Sequence, residues 1–226
     1  MGSSLVALLS VIAGLAGHHD SMPRHTGYVV AHVRAGRSLE LRASPGGRSL
    51  LRVGDRTEFG TRKTLGVTAR RHGWLAVTDP RLANGRRGWL RAGDPRVELT
   101  QTEVALHADI SRRKLTLERD GRTVEEARVA VGAPSSPTPA GRFAITDKLR
   151  GPDYSASYGC CILAMSGSQP RTPAGWRGGN RLAIHGTSSS ETIGRASSAG
   201  CLRTDDRSLR TMMRKVPVGA PVFIHR

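Results

Sequence analysis

The sequence predicts a mainly β protein. Glycine and proline are frequent, at 27 and 12 of 226 residues. Short runs that alternate apolar and polar side chains recur along the chain, and helical periodicity is scarce. Between residues 27 and 98, YVVAHVRAGRSLELRASPGG, GVTARRHGWLAVTD and NGRRGWLRAGD read as short strands broken by glycine turns. Further on, KLTLERDGRTVEEARVAVG alternates about Asp120-Gly121, a two-residue hairpin signal. VGAPSSPTPAGRFAITDK, 131–148, reads as strand, loop and strand, with Pro137, Pro139 and Gly141 stiffening the turn. YGCCILAMSG has the apolar run of a buried strand, NRLAIHG a short strand ending near His185, and VGAPVFIHR a closing strand. The clearest helix is DDRSLRTMMRKV, 205–216. Its acidic residues come early and its basic ones late, and Leu209, Met212 and Met213 share a side that suits core packing.

A length of 226 residues accommodates one or two domains with a sizeable core. A boundary is expected near residue 98, separating a unit over 27–98 from a second over 99–226, with PRVELTQTE (95–103) as a short linker. Residues 1–17 read as a targeting segment. Leu5 to Leu15 is an eleven-residue, mostly apolar run, too short to span a bilayer comfortably, and Gly14-Leu15-Ala16 offers a small-x-small cleavage site. No Lys or Arg precedes the run, so an uncleaved anchor or a start further upstream remain as alternatives to a signal peptide. Residues 18–26 read as a linker, and no other segment has the length and apolarity of a membrane span.

The net charge of +17 raises the question of nucleic acid. The charge is spread evenly, +9 over 1–98 (16 basic, 7 acidic) and +8 over 99–226 (19 basic, 11 acidic). Aromatic residues make up only 4%, which leaves few platforms for stacking bases. A nucleic-acid role is therefore set aside. Long-range attraction to a polyanionic cell envelope fits the same charge. No Cys/His spacing suits zinc, and no phosphate loop or dinucleotide fingerprint is present, so no metal or cofactor is expected.

The stretch IHGTSSSETIGRASSAGCLR, 184–203, carries the chemistry. His185 and Cys201 lie sixteen positions apart, in a Gly-bounded turn and a Ser-x-Gly-Cys-x-Arg run. A thiol attacks a carbonyl as thiolate, a free cysteine is mostly protonated at neutral pH (pKa roughly 8.5), and an imidazole can take the proton. Small residues around Cys201 allow a substrate backbone to approach and leave the amides of Gly200 and Cys201, with Ala199, as candidate oxyanion donors. An isolated His and Cys would more simply be a buried histidine and a structural thiol; the whole pattern argues for catalysis.

This run resembles the catalytic motif of L,D-transpeptidases, the YkuD-type family that cross-links bacterial peptidoglycan. The matching residues are His185, Gly186, Thr187, Ser198, Gly200, Cys201, Leu202 and Arg203, with Ile193-Gly194 in the loop between. Many members carry a second histidine two positions before the cysteine, where this chain has Ala199. Upstream, 131–148 is similar to the family's V-G-x…P-T-P-x-G-x-[FY] segment. The resemblance covers about 102–226 and implies a YkuD-type β-sandwich with one or two short helices. Residues 27–98 more loosely resemble a bacterial SH3-like barrel, a module that binds wall polymers or peptides. Trp74 and Trp89 would fill its core or line a groove.

The resemblance implies that Cys201, deprotonated by His185, attacks a tetrapeptide stem and releases its terminal D-Ala, and that a neighbouring stem's amine resolves the thioester. The Gly186 carbonyl would orient the imidazole. Arg203 would hold a substrate carboxylate or brace the Cys201 loop. Ser198 suits a hydrogen bond within the loop; Thr187, Tyr158 and Trp176 are candidate substrate contacts, with core packing as the alternative for the two aromatic residues. TPAGWRGGN, 172–180, has the glycine content of a lid. Cys160 and Cys161 are adjacent, which argues against a bridge and for small core residues, one of them lining the cleft as the sharper alternative. A carboxypeptidase on the same scaffold and a non-catalytic wall-binding protein are the competing readings. An extracytoplasmic location at the cell wall follows from the resemblance.

Overall fold

A computed structural model describes residues 27–226; the targeting segment and first linker read at 1–17 and 18–26 lie outside the described residues. As expected, the protein is mainly β. The first seven strands are β1 (Tyr28–Val33), β2 (Leu39–Arg42), β3 (Ser49–Val53), β4 (Thr64–Arg71), β5 (Trp74–Val77), β6 (Gly88–Arg91) and β7 (Val97–Thr102). They form one antiparallel sheet in the order β3-β2-β6-β5-β4-β1-β7. Alternate residues such as Leu39, Leu41, Leu75, Val77 and Leu90 point into its core. The segment 95–103, expected to be a linker, is mostly β7: it pairs with β1 from Val33↔Val97 to Tyr28↔Thr102. The alternation Val97-Glu98-Leu99-Thr100 is a strand pattern that its polar content hid. Neither Trp74 nor Trp89 belongs to the buried cluster. Trp74 instead lines an open cavity, with the Arg91 guanidinium 5.0 Å from its ring.

The chain continues through β8 (Val104–Asp109), β9 (Lys114–Arg119), β10 (Arg122–Arg128), β11 (Val131–Gly132), β12 (Gly141–Arg150), β13 (Cys161–Ser168), β14 (Arg181–His185), β15 (Ala196–Ser198), β16 (Leu202–Arg203), α1 (Asp206–Lys215) and β17 (Pro221–His225). Eight of these strands make a second sheet, β10-β9-β8-β17-β12-β13-β14-β16, and β11 pairs with β15 beside it. The β9–β10 hairpin turns where Asp120-Gly121 predicted: both have positive φ, 52° and 70°, the geometry of a primed two-residue turn. Helix α1 starts at Asp205, whose side chain accepts from the Ser208 amide, and ends on Arg214 and Lys215. Leu209 and Met212 are fully buried in the second core, with Met213 packed against it.

The two sheets dock on each other through buried and half-buried polar groups. Thr57 Oγ1 donates to Asp147 Oδ1 at 2.5 Å, and Arg142 donates to the carbonyls of Val67 and Thr68 at 2.9 and 3.1 Å. Asn84 pairs with both backbone groups of Ser168: Nδ2 donates to the carbonyl at 2.6 Å, and Oδ1 accepts from the amide at 2.9 Å.

Candidate active site

The parallel pairing of β14 with β16 assembles the site. Its register sets Ile184 against Leu202 and His185 against Arg203, which places Cys201 level with Ala183. Side chains alternate along strands, so Ala183 and His185 share a face, as do Cys201 and Arg203. Residues sixteen apart in sequence thus border one cavity of about 260 Å³, lined also by Tyr158, Gln169, Trp176 and Ala199.

The His185 imidazole is buried, and its Nδ1 lies 2.6 Å from the Gly186 carbonyl oxygen, the orienting contact expected in the absence of a neighbouring carboxylate. With Nδ1 as the donor, Nε2 is left as the basic nitrogen. Burial pushes its pKa down to about 4; the Gly186 hydrogen bond opposes the shift and the Arg203 charge adds to it. Burial likewise pushes the Cys201 thiol up, against the Ala183 backbone and Arg203, which both favour thiolate. The resting pair is a neutral imidazole and a neutral thiol. Tyr158 stacks edge-on against the His185 ring at a centroid distance of 4.7 Å, closing one side of the site.

The loop before Cys201 is braced from within. Ser198 Oγ donates to the Cys201 carbonyl at 2.6 Å and accepts from the Gly200 amide at 3.0 Å. The Gly200 N–H is therefore committed to Ser198, not offered to an oxyanion as expected; sequence spacing cannot reveal that a hydroxyl two residues back has claimed it. Gly200 adopts φ +122°, and a Cβ there would run into the Gln169 carboxamide. Arg203 reaches the Ser197 carbonyl at 3.2 Å and also lines the cavity, so it braces the loop while facing the site. Thr187 does not line the cavity: its Oγ1 accepts from the Ser189 amide at 3.1 Å and shapes the turn after Gly186. Trp176 lines the cavity at 45% exposure rather than packing in a core, its indole N–H donating to Gly179.

Several residues of the site escaped sequence reasoning. Gln169 is buried, and its Nε2 lies 3.0–3.1 Å from the carbonyls of Ser136, Pro137 and Ala199, while Oε1 accepts from the Arg171 amide. It ties the Cys201 loop to the proline turn and to the start of the 170–180 segment. Asp206 Oδ1 accepts from the Cys160 amide at 2.9 Å and lies where a Cβ on Gly186 would fall, fixing the turn after His185. Arg181 donates to the Met165 carbonyl and to Glu58 and approaches Asp147; its own carbonyl is 3.8 Å from Cys201 Sγ. None of these carries a local motif, because each acts through a partner distant in sequence. Cys160 and Cys161, expected as unbridged core residues, are joined by a disulfide at the start of β13, and the Cys161 carbonyl accepts from the Gly186 amide.

A cysteine and a buried, backbone-oriented histidine thus border a shared cavity, with His185 at the end of β14 and Cys201 just before β16. The family model for the L,D-transpeptidase catalytic domain (YkuD) matches residues 103–224, more than half of the chain, and the chain belongs to that family of cell-wall enzymes. It is 30% identical over 117 residues to the YkuD protein of Bacillus subtilis, covering 52% of this chain and 63% of that one. It is 31% identical over 105 residues to B. subtilis YqjB, covering 42% and 56%. Both are named as candidate L,D-transpeptidases, and the match spans about three fifths of their lengths. Among solved structures, L,D-transpeptidase 3 from Mycobacterium tuberculosis aligns with a TM-score of 0.45 at 16% identity, over 70% of each chain.

Proposed function

We propose that the protein is a peptidoglycan L,D-transpeptidase that joins stem peptides through a thioester on Cys201. The observation that carries this reading is the shared cavity of Cys201 and His185, with His185 held neutral and oriented by Gly186. Cys201 Sγ attacks the amide carbonyl that precedes the terminal D-Ala of a tetrapeptide stem while its proton passes to His185. The Cys201 amide, with that of Ala199, faces the developing oxyanion. His185 then protonates the leaving D-Ala nitrogen. The amine of a second stem attacks the thioester, forms the new amide and returns the thiol. Arg203, Tyr158 and Trp176 contact the donor stem. The site needs no metal or cofactor for these steps.

The N-terminal sheet, 27–98 with β7 appended, is read as an SH3-like module, and 99–226 as the catalytic domain. A wall polymer or peptide is the proposed ligand of the module, and the cell wall the proposed location. Among the described residues no helix is long and apolar enough to cross a membrane.

The test is intact-protein mass spectrometry after incubation with a carbapenem, a β-lactam that acylates the family's cysteine. A single adduct on the native chain, missing from Cys201→Ala, is the expected result. No adduct on folded protein with Cys201 reduced would overturn the acyl-enzyme reading. Stem-peptide assays then separate cross-linked product from the hydrolysed tripeptide that a carboxypeptidase would release.

A further inference from the structure

A cavity of about 580 Å³ opens in the N-terminal sheet, and it shares no lining residue with the one that holds Cys201 and His185. Strand register explains its position. β2 and β6 meet at the pair Arg42↔Trp89. The two strands run antiparallel, so Glu40 and Arg91 each lie two residues beyond that pair, on the same side of it. There both strands border the cavity, which buried Leu39 and Leu90 also line. Glu40 is in register with Arg52 of β3, and Arg91 with Trp74 of β5. One bank of the cavity is therefore Arg91 with Trp74, and the other is Glu40 with Arg52.

Most of the charge here is already committed. Arg96 donates to Asp94 through Nε and Nη2 at 2.9 and 2.7 Å, a closed pair. Arg52 gives Nε and Nη2 to Ser38 Oγ at 3.1 and 2.8 Å, and Arg42 gives Nη1 to the Gly47 carbonyl at 2.8 Å. Arg91 differs. Its guanidinium lies 5.0 Å from the Trp74 ring centroid and donates to no acceptor among the described residues. The ring holds the cation by its π face, which leaves the N–H groups unspent. Glu40, on the other bank, likewise forms no hydrogen bond or ion pair among the described residues. A guanidinium with free donors and a carboxylate with free lone pairs thus border one cavity without closing on each other.

We propose that this cavity binds a short peptide that carries both a free carboxylate and a free amine, the carboxylate on Arg91 and the amine on Glu40. The proposal rests on the reading of the N-terminal sheet as a binding module and deepens it by naming the chemistry of the ligand; it does not depend on Cys201. A planar guanidinium takes a carboxylate through two parallel N–H···O bonds, which gives orientation as well as attraction. Glu40 selects the peptide. A phosphodiester polymer would bring only anions to a cavity that already holds an unpaired carboxylate, and like charges repel there. Four arginines against Glu40 and Asp94 leave the lining net positive, so the carboxylate is the stronger anchor of the two groups. The volume falls within the range of about 300–1,000 Å³ for ligand pockets, enough for a few residues of extended chain. Uncross-linked wall stems, with a terminal carboxylate and a reactive amine, have both groups.

The test is an NMR titration of N-acetyl-Ala-Gln-Lys-D-Ala, which has one carboxylate and one amine, into the full chain carrying Cys201→Ala. Two indole N–H resonances report separately: that of Trp74 on this cavity, and that of Trp176 on the active-site cavity. A saturable shift of the Trp74 signal is expected. Amidating the peptide's carboxylate, or adding Arg91→Ala, should weaken that binding by about 10-fold, the scale of a hydrogen bond to a charged group. Arg91→Lys should fall between, because it keeps the charge and loses the fork. Acetylating the lysine amine should weaken binding by about 3-fold when Glu40 is present and leave it unchanged in Glu40→Gln. Poly(glycerol phosphate) is the second probe. If it binds more tightly than the peptide, and more tightly still in Glu40→Gln, the peptide assignment is overturned in favour of a phosphodiester polymer. A peptide that moves only Trp176, or a Trp74 shift indifferent to Arg91, overturns the site. Peptide shifts confined to another part of the N-terminal sheet would overturn this cavity and keep the module reading, whereas no response of that sheet to either probe would remove both. Arg91 and Glu40 are exposed, so the variants are expected to fold, which near-UV circular dichroism checks.

Discussion

The Gln169 carboxamide donates to the Ala199 carbonyl at 3.1 Å and, through the same nitrogen, reaches the carbonyls of Ser136 and Pro137. One buried side chain therefore sets the position of the loop that presents Cys201. Gln169→Ala leaves buried carbonyls without their donor and opens space beside Gly200. The expected outcome is a loss of about 2 kcal/mol in urea unfolding and acylation slowed by about 100-fold, the scale of a displaced oxyanion donor. Gln169→Glu should be worse on both counts, because a carboxylate would face three carbonyl oxygens. Equal acylation rates for Gln169→Ala and the native chain would show that the loop holds its shape without this brace.

The pH dependence of acylation follows from the buried imidazole. His185 is held near 4, below its unfolded value of about 6.5. It therefore stays a base as the pH falls through 6.5, and the acid limb of the acylation rate should lie near 4. For stability the sign is the reverse of a salt-bridged histidine. Between pH 6.5 and about 4 the unfolded chain binds a proton that the folded chain does not, so stability falls with pH across that window. The loss is on the order of 3 kcal/mol and should be absent in His185→Gln. An acid limb at 6 to 7 would mean that the base in the free enzyme is a solvated imidazole, contrary to the burial described.

Asp79 and Lys63 form a buried pair in the N-terminal sheet, 3.5 Å apart, with Arg81 also bonded to the carboxylate at 3.0 Å. Burial works against ionisation of Asp79, but the Arg81 hydrogen bonds and the Lys63 charge outweigh it and hold its carboxyl below the usual range. Removing one partner strands the other. Asp79→Ala is expected to cost about 3–5 kcal/mol, and the double variant Asp79→Leu with Lys63→Met to recover most of it. Denaturant unfolding of the three proteins checks this; a single variant no less stable than the native chain would show that water reaches Lys63.

The sequence revealed more of the catalytic half than of the rest, for physical reasons. His185, Cys201 and the Ser198 loop lie in one short segment whose residue types are dictated locally, by a strand, a turn and a positive φ at Gly200. The Asp120-Gly121 hairpin and the Asp205 cap are local in the same sense. What stayed hidden depends on long-range pairing: β7 is a strand because β1 is beside it, and Gln169 is a brace because three carbonyls converge on it. Thr187 carried the family pattern, yet turns away from the cavity to satisfy its own loop. The Cys160–Cys161 bridge ran against the general rarity of neighbouring pairs, and only the geometry at the start of β13 reveals it.

Ser168 and Arg181 face each other across β13 and β14, and the segment between them crosses the active-site cavity. The N-terminal sheet holds both: Asn84 bonds the Ser168 amide and carbonyl, and Glu58 bonds the Arg181 guanidinium. Asn84 in effect supplies one rung of a missing strand, and its two bonds are worth about 1 kcal/mol each. Asn84→Ala should therefore raise amide exchange over 169–180 by about 10-fold or more while leaving exchange in β8 and β9 unchanged. Asn84→Asp distinguishes hydrogen bonding from simple packing, since the carboxylate keeps the acceptor for the Ser168 amide but sets a negative charge against its carbonyl. It should loosen the segment at least as much as alanine does at neutral pH, and less as the carboxyl is protonated in acid. Uniform loosening of the whole chain in either variant would reduce Asn84 to a general contact between the sheets. Unchanged exchange over 169–180 would mean that the segment is held by its own residues, Gln169 and Trp176, alone.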